Sequence, residues 1–354
     1  MFGSLLGATT GWHIACPRRL RIRLAGYPSK ARVGLFKVLH LEMGVTMTMN
    51  TVYMDANVTE AVRRRRLYEG QLFVFSPRPS VLRLCEFARQ MIEEAFAGLD
   101  PLEAQYHMTV EKYVEIVAPL KPKFIHHPVT MGLLRDLVRE CGCDLDDTYV
   151  DVPRLRMVTS NAYLTSGVGY AHHPHRDTWY SAPMQQLNWW LPIYPFESES
   201  SMAFHPRYYS EAVPNSSNEF DYYQWNSVGR KNAAQHIKVD TRKQPKPNVQ
   251  VELEPQIRLV CPPGGIILFS AAQLHSTVPN TSGRTRYSID FRTVNLTDLR
   301  EKCGALNVDS SPAGTSLRDF RRGSDLAPMP EDVVQLHETA PPEKGELVFE
   351  PPSI

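Results

Sequence analysis

His175 and Asp177 stand two residues apart in the run Ala171-His-His-Pro-His-Arg-Asp177, and His275 follows a hundred positions later in Leu274-His-Ser-Thr-Val-Pro-Asn280. On an extended strand, residues i and i+2 project to the same face. Two imidazoles and one carboxylate gathered on one face of a metal leave the opposite face open. That suits non-heme iron(II), which needs free positions for a co-substrate and O2. His173 shares the parity of His175 and is an alternative ligand or a support behind it; His172 faces away. The bland alternative is that these are ordinary hydrogen-bonded histidines. A single His-x-Asp has little weight alone, but a third ligand and a downstream basic strand strengthen it.

That strand is Gly283-Arg-Thr-Arg-Tyr-Ser-Ile-Asp-Phe-Arg292. Period-2 alternation puts Arg284, Arg286, Ser288, Asp290 and Arg292 on one face and Thr285, Tyr287, Ile289 and Phe291 on the other. An inward Arg-x-Ser pair needs an anion, because a guanidinium pairs in bidentate fashion with a carboxylate and a hydroxyl adds a third bond. The alternative is an exposed edge strand with solvated charges. Charge balance favours the inward version. Iron(II) with one carboxylate ligand carries +1, Arg286 adds +1, and a dicarboxylate brings −2, so the filled site is neutral and cheaper to bury.

Taken together, these residues resemble the iron(II)/2-oxoglutarate dioxygenase superfamily, and most of all its phytanoyl-CoA hydroxylase-related branch. The resemblance rests on His175-Arg-Asp177, on His275 followed by Val278-Pro-Asn-Thr-Ser282, and on Arg286-x-Ser288, with the arginine eleven positions after the distal histidine. It covers about Leu155 to Leu296. Ser201-Met-Ala-Phe-His-Pro206 stands where relatives carry a hydrophobic-Pro-Gly-Ser-His element, without the Gly-Ser-His. The resemblance implies that His175, Asp177 and His275 bind Fe(2+), that 2-oxoglutarate chelates it, and that Arg286 with Ser288 holds the far carboxylate. It implies O2-dependent conversion of 2-oxoglutarate to succinate and CO2, coupled to hydroxylation, with desaturation or ring closure as variants. Gln186 and Asn188 share a strand face with Trp190, and one of them either orients the near carboxylate or makes a core hydrogen bond. Trp179 and Tyr180 either wall the pocket or, as aromatics there do more often, merely pack.

Positioning these groups requires short strands. Leu155–Thr159, Gln186–Ile193, Ser201–His205, Ile257–Cys261, Gly265–Phe269 and Thr285–Val294 read as such, and Pro262-Pro-Gly-Gly265 reads as a tight turn. The expected fold is mainly β with flanking helices, a double-stranded β-helix of the jelly-roll or cupin-like kind. Apolar spacing predicts helices over Ser80–Phe96, with Ser80 as N-cap, over Met131–Val138 and over Val110–Val117. The expected organisation is one oxygenase domain over 46–308. It has a helical layer at 75–145, a β core at 150–296 and an aromatic lid insertion at 196–250, with a Pro-rich, charged C-terminal tail at 309–354.

Residues 1–45 are basic, with no acid before Leu41. They read as an over-extended start, with Met43, Met47 or Met49 as the beginning, or as a transit peptide. The expected compartment is therefore the cytoplasm, or an organelle in the second case. Six scattered cysteines fit a reducing setting, and Cys141 and Cys143 form a CxC that reads as two ordinary thiols. A composition of 42% hydrophobic and 22% charged residues is that of a globular chain. A net charge of +1 gives no field for nucleic acid or a membrane surface, and no apolar run reaches membrane-spanning length. The expected partner is a small-molecule or lipid-like substrate, and oligomeric state is not specified. Two other classes remain: a non-catalytic cupin-like metal- or ligand-binding module, and a nucleic-acid demethylating dioxygenase. The second is disfavoured because Ser288 stands where such enzymes carry Asn.

Overall fold

Ile266–Ser270 reads Ile-Ile-Leu-Phe-Ser and is buried at every position. An apolar run without alternation marks a strand covered on both faces. In the computed structural model, which describes residues 51–166, 173–229 and 242–339, one cover is a layer of helices and the other a second, smaller sheet. The basic segment 1–45, His172, and parts of the insertion and of the C-terminal tail lie outside the described residues.

The strands in chain order are β1 (Val52–Met54), β2 (Leu72–Phe75), β3 (Thr148–Val150), β4 (Arg154–Val158), β5 (Leu187–Pro192), β6 (Met202–Phe204), β7 (Ile257–Arg258), β8 (Ile266–Ser270), β9 (His275–Thr277), β10 (Arg286–Asn295) and β11 (Arg321–Arg322). The large sheet runs β1-β2-β8-β5-β10-β3-β11, and β4 pairs the first half of β10 beside β3 on the second half. The small sheet runs β7-β6-β9. Leu72, Val74, Trp190, Ile267 and Phe269 of the large sheet meet Met202 and Phe204 of the small one in a shared apolar cluster. Two facing sheets of mostly antiparallel strands form the expected double-stranded β-helix.

Alternation sends the other face of the large sheet outward to the helices. Leu155, Met157, Trp189, Leu191, Tyr287, Ile289 and Phe291 are buried against α1 (Glu60–Tyr68), α2 (Pro79–Ala95), α3 (Val110–Ile125) and α4 (Pro128–Glu140). Each large apolar side chain so buried contributes roughly 1.5–3 kcal/mol. This layer fixes which face of β4, β5 and β10 is left to form a cavity.

Details differ from the sequence expectation in places. Helix α2 starts at Pro79, whose ring presets φ at the first helical position, and Arg78 is its N-cap. Ser80 is therefore not the cap; its hydroxyl donates to Glu140 of α4. Helix α3 continues past Pro119 and Pro122 to Ile125, because Leu120 and Phe124 extend the buried face begun by Tyr113 and Val117. That packing outweighs a proline cost of about 3 kcal/mol. The sequence reading omits β1, β2, β3 and β11. Residues 309–337 add β11 and a satellite core of Leu317, Phe320, Met329, Val333 and Val334 against Tyr149, Val294 and Leu299. Among the described residues no helix is long and apolar enough to cross a membrane.

Candidate metal centre and its cavity

His175 and His275 face each other as an antiparallel backbone pair, each amide donating to the other's carbonyl at 3.0 Å. His175 thus lies beside β9 at the edge of the small sheet. The extended segment stops there: Asp177 opens a short 3-10 helix, Asp177–Tyr180, rather than continuing a strand. The turn still brings its carboxylate to the histidines, with Oδ1 3.4 Å from Nε2 of His175 and 3.9 Å from Nε2 of His275. Ligand atoms of all three lie within 4.8 Å of one another, close enough to hold one metal ion.

The imidazoles are oriented in matching ways. Nδ1 of His175 donates to the carbonyl of His173 at 2.7 Å, and Nδ1 of His275 donates to the carbonyl of Gln273 at 3.0 Å. A carbonyl only accepts, so each Nδ1 carries the proton and each Nε2 presents its lone pair to the shared point. Burial, then the neighbouring His175, push His275 down to about 4, which keeps it neutral and able to coordinate. Burial works against the charge on Asp177, but His175 and the Arg292 guanidinium outweigh it and hold the carboxyl well below the usual range.

The second oxygen of Asp177 has its own partners. Gln186 donates from its amide to Oδ2 at 3.4 Å and to Oδ1 of Asn188 at 3.0 Å, and Nε of Arg292 lies 3.7 Å from Oδ2. Gln186 and Asn188, expected to meet a co-substrate carboxylate or make core hydrogen bonds, form a small network that orients the acidic member of the cluster. Arg292 went unnoticed as a neighbour of Asp177, although its parity with Arg286 on β10 was the available signal.

Arg286 and Ser288 follow the alternation. Arg286 is buried, stacks over the Trp190 ring with 5.4 Å to the centroid, and donates from Nη1 to the carbonyl of Ser200 at 2.9 Å. Its Nε and the Ser288 hydroxyl are buried with no hydrogen-bond partner among the described residues. Burial pushes Arg286 down to about 10, so it remains a cation. Leaving such donors unpaired costs roughly 1–3 kcal/mol each, and a charged one more, which points to a ligand that satisfies them. Of the other arginines on this face, Arg284 is exposed near Asp100 and Arg292 is committed to carboxylates.

One cavity of about 540 Å³ joins the His-Asp-His cluster to Gln186, Asn188, Arg286 and Arg292, and Tyr180, Phe220, Tyr222 and Trp225 wall it. Tyr180 meets His175 edge-on at 5.6 Å and Phe220 at 5.3 Å, so an aromatic path leads from the histidines into the insertion. Three nearby side chains serve elsewhere. Trp179 is not a wall; it is fully buried with Val213 and Leu274, and its indole donates to Asp309 at 2.8 Å. Of the two alternatives for His173 the supporting one fits: its Nε2 meets the carbonyl of Pro245 at 2.7 Å, and its own carbonyl orients His175. Tyr209, one of the aromatics of the insertion, packs on Gly70 instead of over the cavity; φ at Gly70 is +91° and an added Cβ would lie 2.6 Å from the Tyr209 ring. Cys141 and Cys143 stay ordinary thiols, each pushed up to about 11 by burial.

Arg176, between His175 and Asp177, points the other way and is fully buried. It pairs with both oxygens of Asp309 at 3.0 Å and donates to the carbonyls of Ala272, Tyr208 and Glu211. It ties the ligand segment to the insertion and to residue 309. Replacing it with alanine leaves the buried Asp309 carboxylate without its counter-charge, with only the Trp179 indole and the Val213 amide donating to it, so Arg176→Ala is expected to destabilise the protein by about 3–5 kcal/mol in chemical denaturation. A loss below about 1 kcal/mol would show that the bond network contributes little.

No protein-family model matches the chain, and no curated protein does. Solved structures similar to it include EvdO2 from Micromonospora carbonacea var. aurantiaca complexed with 2-oxoglutarate, at 12% identity over 73% of this chain and 96% of that one, with a TM-score of 0.39. Another is the epimerase SnoN in complex with Fe3+, alpha ketoglutarate and nogalamycin RO, at 12% identity over 77% and 98%, with a TM-score of 0.34. A third is the non-heme monooxygenase ThoJ in its apo form, at 13% identity over 61% and 69%, with a TM-score of 0.32. Identities this low carry no residue roles across.

Proposed function

We propose that this chain is an iron(II)- and 2-oxoglutarate-dependent oxygenase, hydroxylating a small organic, lipid-like or carrier-bound substrate with release of succinate and CO2. The observation that carries this reading is one cavity lined by both a His-Asp-His cluster and the buried Arg286, whose Nε has no hydrogen-bond partner among the described residues; Ser288 stands two residues along the same face of β10, outside the cavity lining. Nitrogen and carboxylate donors of this kind suit iron(II), and a guanidinium beside a hydroxyl suits a carboxylate.

In this reading His175, Asp177 and His275 hold the metal, and Arg286 with Ser288 receives the far carboxylate of 2-oxoglutarate. When bound, the iron and 2-oxoglutarate supply the oxygen chemistry, which belongs to the cofactor rather than to the protein. The chain contributes position and dryness. The carbonyls of His173 and Gln273 fix the imidazole orientation, and Gln186 and Arg292 hold the free oxygen of Asp177. The aromatic wall of Tyr180, Phe220 and Trp225 narrows water access to the reacting region.

The test is direct. Purified protein supplied with iron(II), ascorbate and 2-oxoglutarate is expected to release succinate slowly without substrate, and to stop when a chelator is added. Succinate at the level of a metal-free control would favour the non-catalytic binding module.

A further inference from the structure

Two kinds of surface line the cavity beyond the metal cluster. One is a ladder of alternating charges. Arg292 reaches Asp151, Asp177 and Asp290, Arg156 pairs with Asp290 in bidentate fashion, and Arg154 pairs with Asp151. Each guanidinium in it meets at least one carboxylate, and three face three. The ladder begins at the cluster, because Arg292 joins Asp177 to Asp290, and continues outward through Arg156. The other surface is aromatic, with the Phe220 ring 5.3 Å from Tyr180 and 6.0 Å from Trp225. Lys121 and Arg242 also line the cavity and have partners of their own.

The outer rung of the ladder is open to a ligand. The side chain of Asp151 is 4% exposed, whereas those of Arg156 and Asp290 are 32% and 16% exposed. Arg156 spends Nε and Nη2 on Asp290, and a guanidinium carries five N–H groups, so donors remain. Ser316 supplies an independent sign. It lines the same cavity and is 7% exposed, and its hydroxyl has no hydrogen-bond partner among the described residues. A buried hydroxyl left alone costs free energy that a ligand can recover.

A carboxylate only accepts and a guanidinium only donates, so an open pair of the two matches a hydroxyl group, which does both. An anion would meet Asp290 and a cation would meet Arg156, whereas a neutral hydroxylated ligand leaves the charge balance intact. A wholly apolar ligand would strip water from the pair and return no bond. Aromatic rings in turn offer apolar faces to the C–H side of a sugar ring. We propose that the substrate is a neutral glycoside, with sugar hydroxyls bonded to the Arg156–Asp290 pair and to Ser316 and its carbon skeleton against Phe220 and Trp225. Naming this ligand as substrate rests on the oxygenase reading; the sugar site itself rests on the open pair and the lone hydroxyl.

Ligand-observed NMR titration of the full chain tests it, alone and after loading with nickel(II) and 2-oxoglutarate. The probes are the phenyl glycosides of glucose, galactose, mannose and xylose, of which at least one is expected to bind. The hydroxyl-free analogue 2-phenoxytetrahydropyran is expected to bind at least about tenfold more weakly, as is the bound glycoside to Arg156→Met, because a bond to a charged group is worth about that much. Ser316→Ala is expected to weaken binding by about two- to tenfold. It removes a hydroxyl that has no partner, so the fold is expected to persist even if Arg156→Met fails to fold. Arg286→Gln is expected to leave glycoside binding within about twofold. Binding by none of the glycosides, equal binding of 2-phenoxytetrahydropyran, tighter binding of phenyl glucuronide than of phenyl glucoside, or unchanged affinity in Ser316→Ala would overturn the proposal. Uptake of 2-oxoglutarate by the nickel-loaded samples is read separately. Glycoside binding without that uptake keeps the sugar site and sinks the oxygenase reading, and uptake without glycoside binding does the reverse.

Discussion

Arg286→Gln is expected to weaken 2-oxoglutarate binding by about 30- to 4,000-fold while leaving nickel(II) or iron(II) uptake unchanged, because truncating one member of a buried charge pair costs about 2–5 kcal/mol. The expectation comes from the environment of this side chain. It is 6% exposed, it spends one donor on the Ser200 carbonyl, and its Nε has no acceptor among the described residues. Glutamine keeps some polarity but neither the charge nor the planar fork. Calorimetry on nickel-loaded protein separates the two ligands. Unchanged 2-oxoglutarate affinity would show that its carboxylate is held elsewhere, and β10 would lose its role as the co-substrate anchor.

Asp177→Ala is expected to abolish succinate release and to lower metal affinity by more than about 100-fold, since loss of an outer partner of a ligand already costs about 10–100-fold. The same substitution leaves the Arg292 guanidinium without one of its carboxylates, while Asp151 and Asp290 remain beside it. The fold is therefore expected to persist, and an unchanged far-ultraviolet spectrum distinguishes a site defect from unfolding. Turnover at the unmodified rate would remove Asp177 from the metal.

The convergence of the candidate site is more legible in the sequence than the frame is. His175, Asp177, His275, Arg286 and Ser288 announce themselves because their types are costly to bury without a purpose, and the parity of a strand is simple to read along β10. The ligand segment was harder. His-x-Asp implies a strand by spacing alone, yet only His175 is extended and Asp177 begins a turn, so a similar convergence arises from a different backbone. Strands β1 and β2 were invisible because a short apolar run before a helical layer carries no period of its own. The tie between Arg176 and Asp309 joins residues far apart in the chain, and no local pattern reports it.

The reciprocal pairing of His175 with His275 has a consequence for fidelity. If the segment slid by a single residue along β9, the guanidinium at 176 would turn toward the cation site and the imidazole at 175 toward Asp309, with a positive group replacing a ligand and a carboxylate losing its counter-charge. Misalignment is thereby punished on both faces at once, so the three-residue stretch acts as a keyed joint that admits one alignment of the two chain segments.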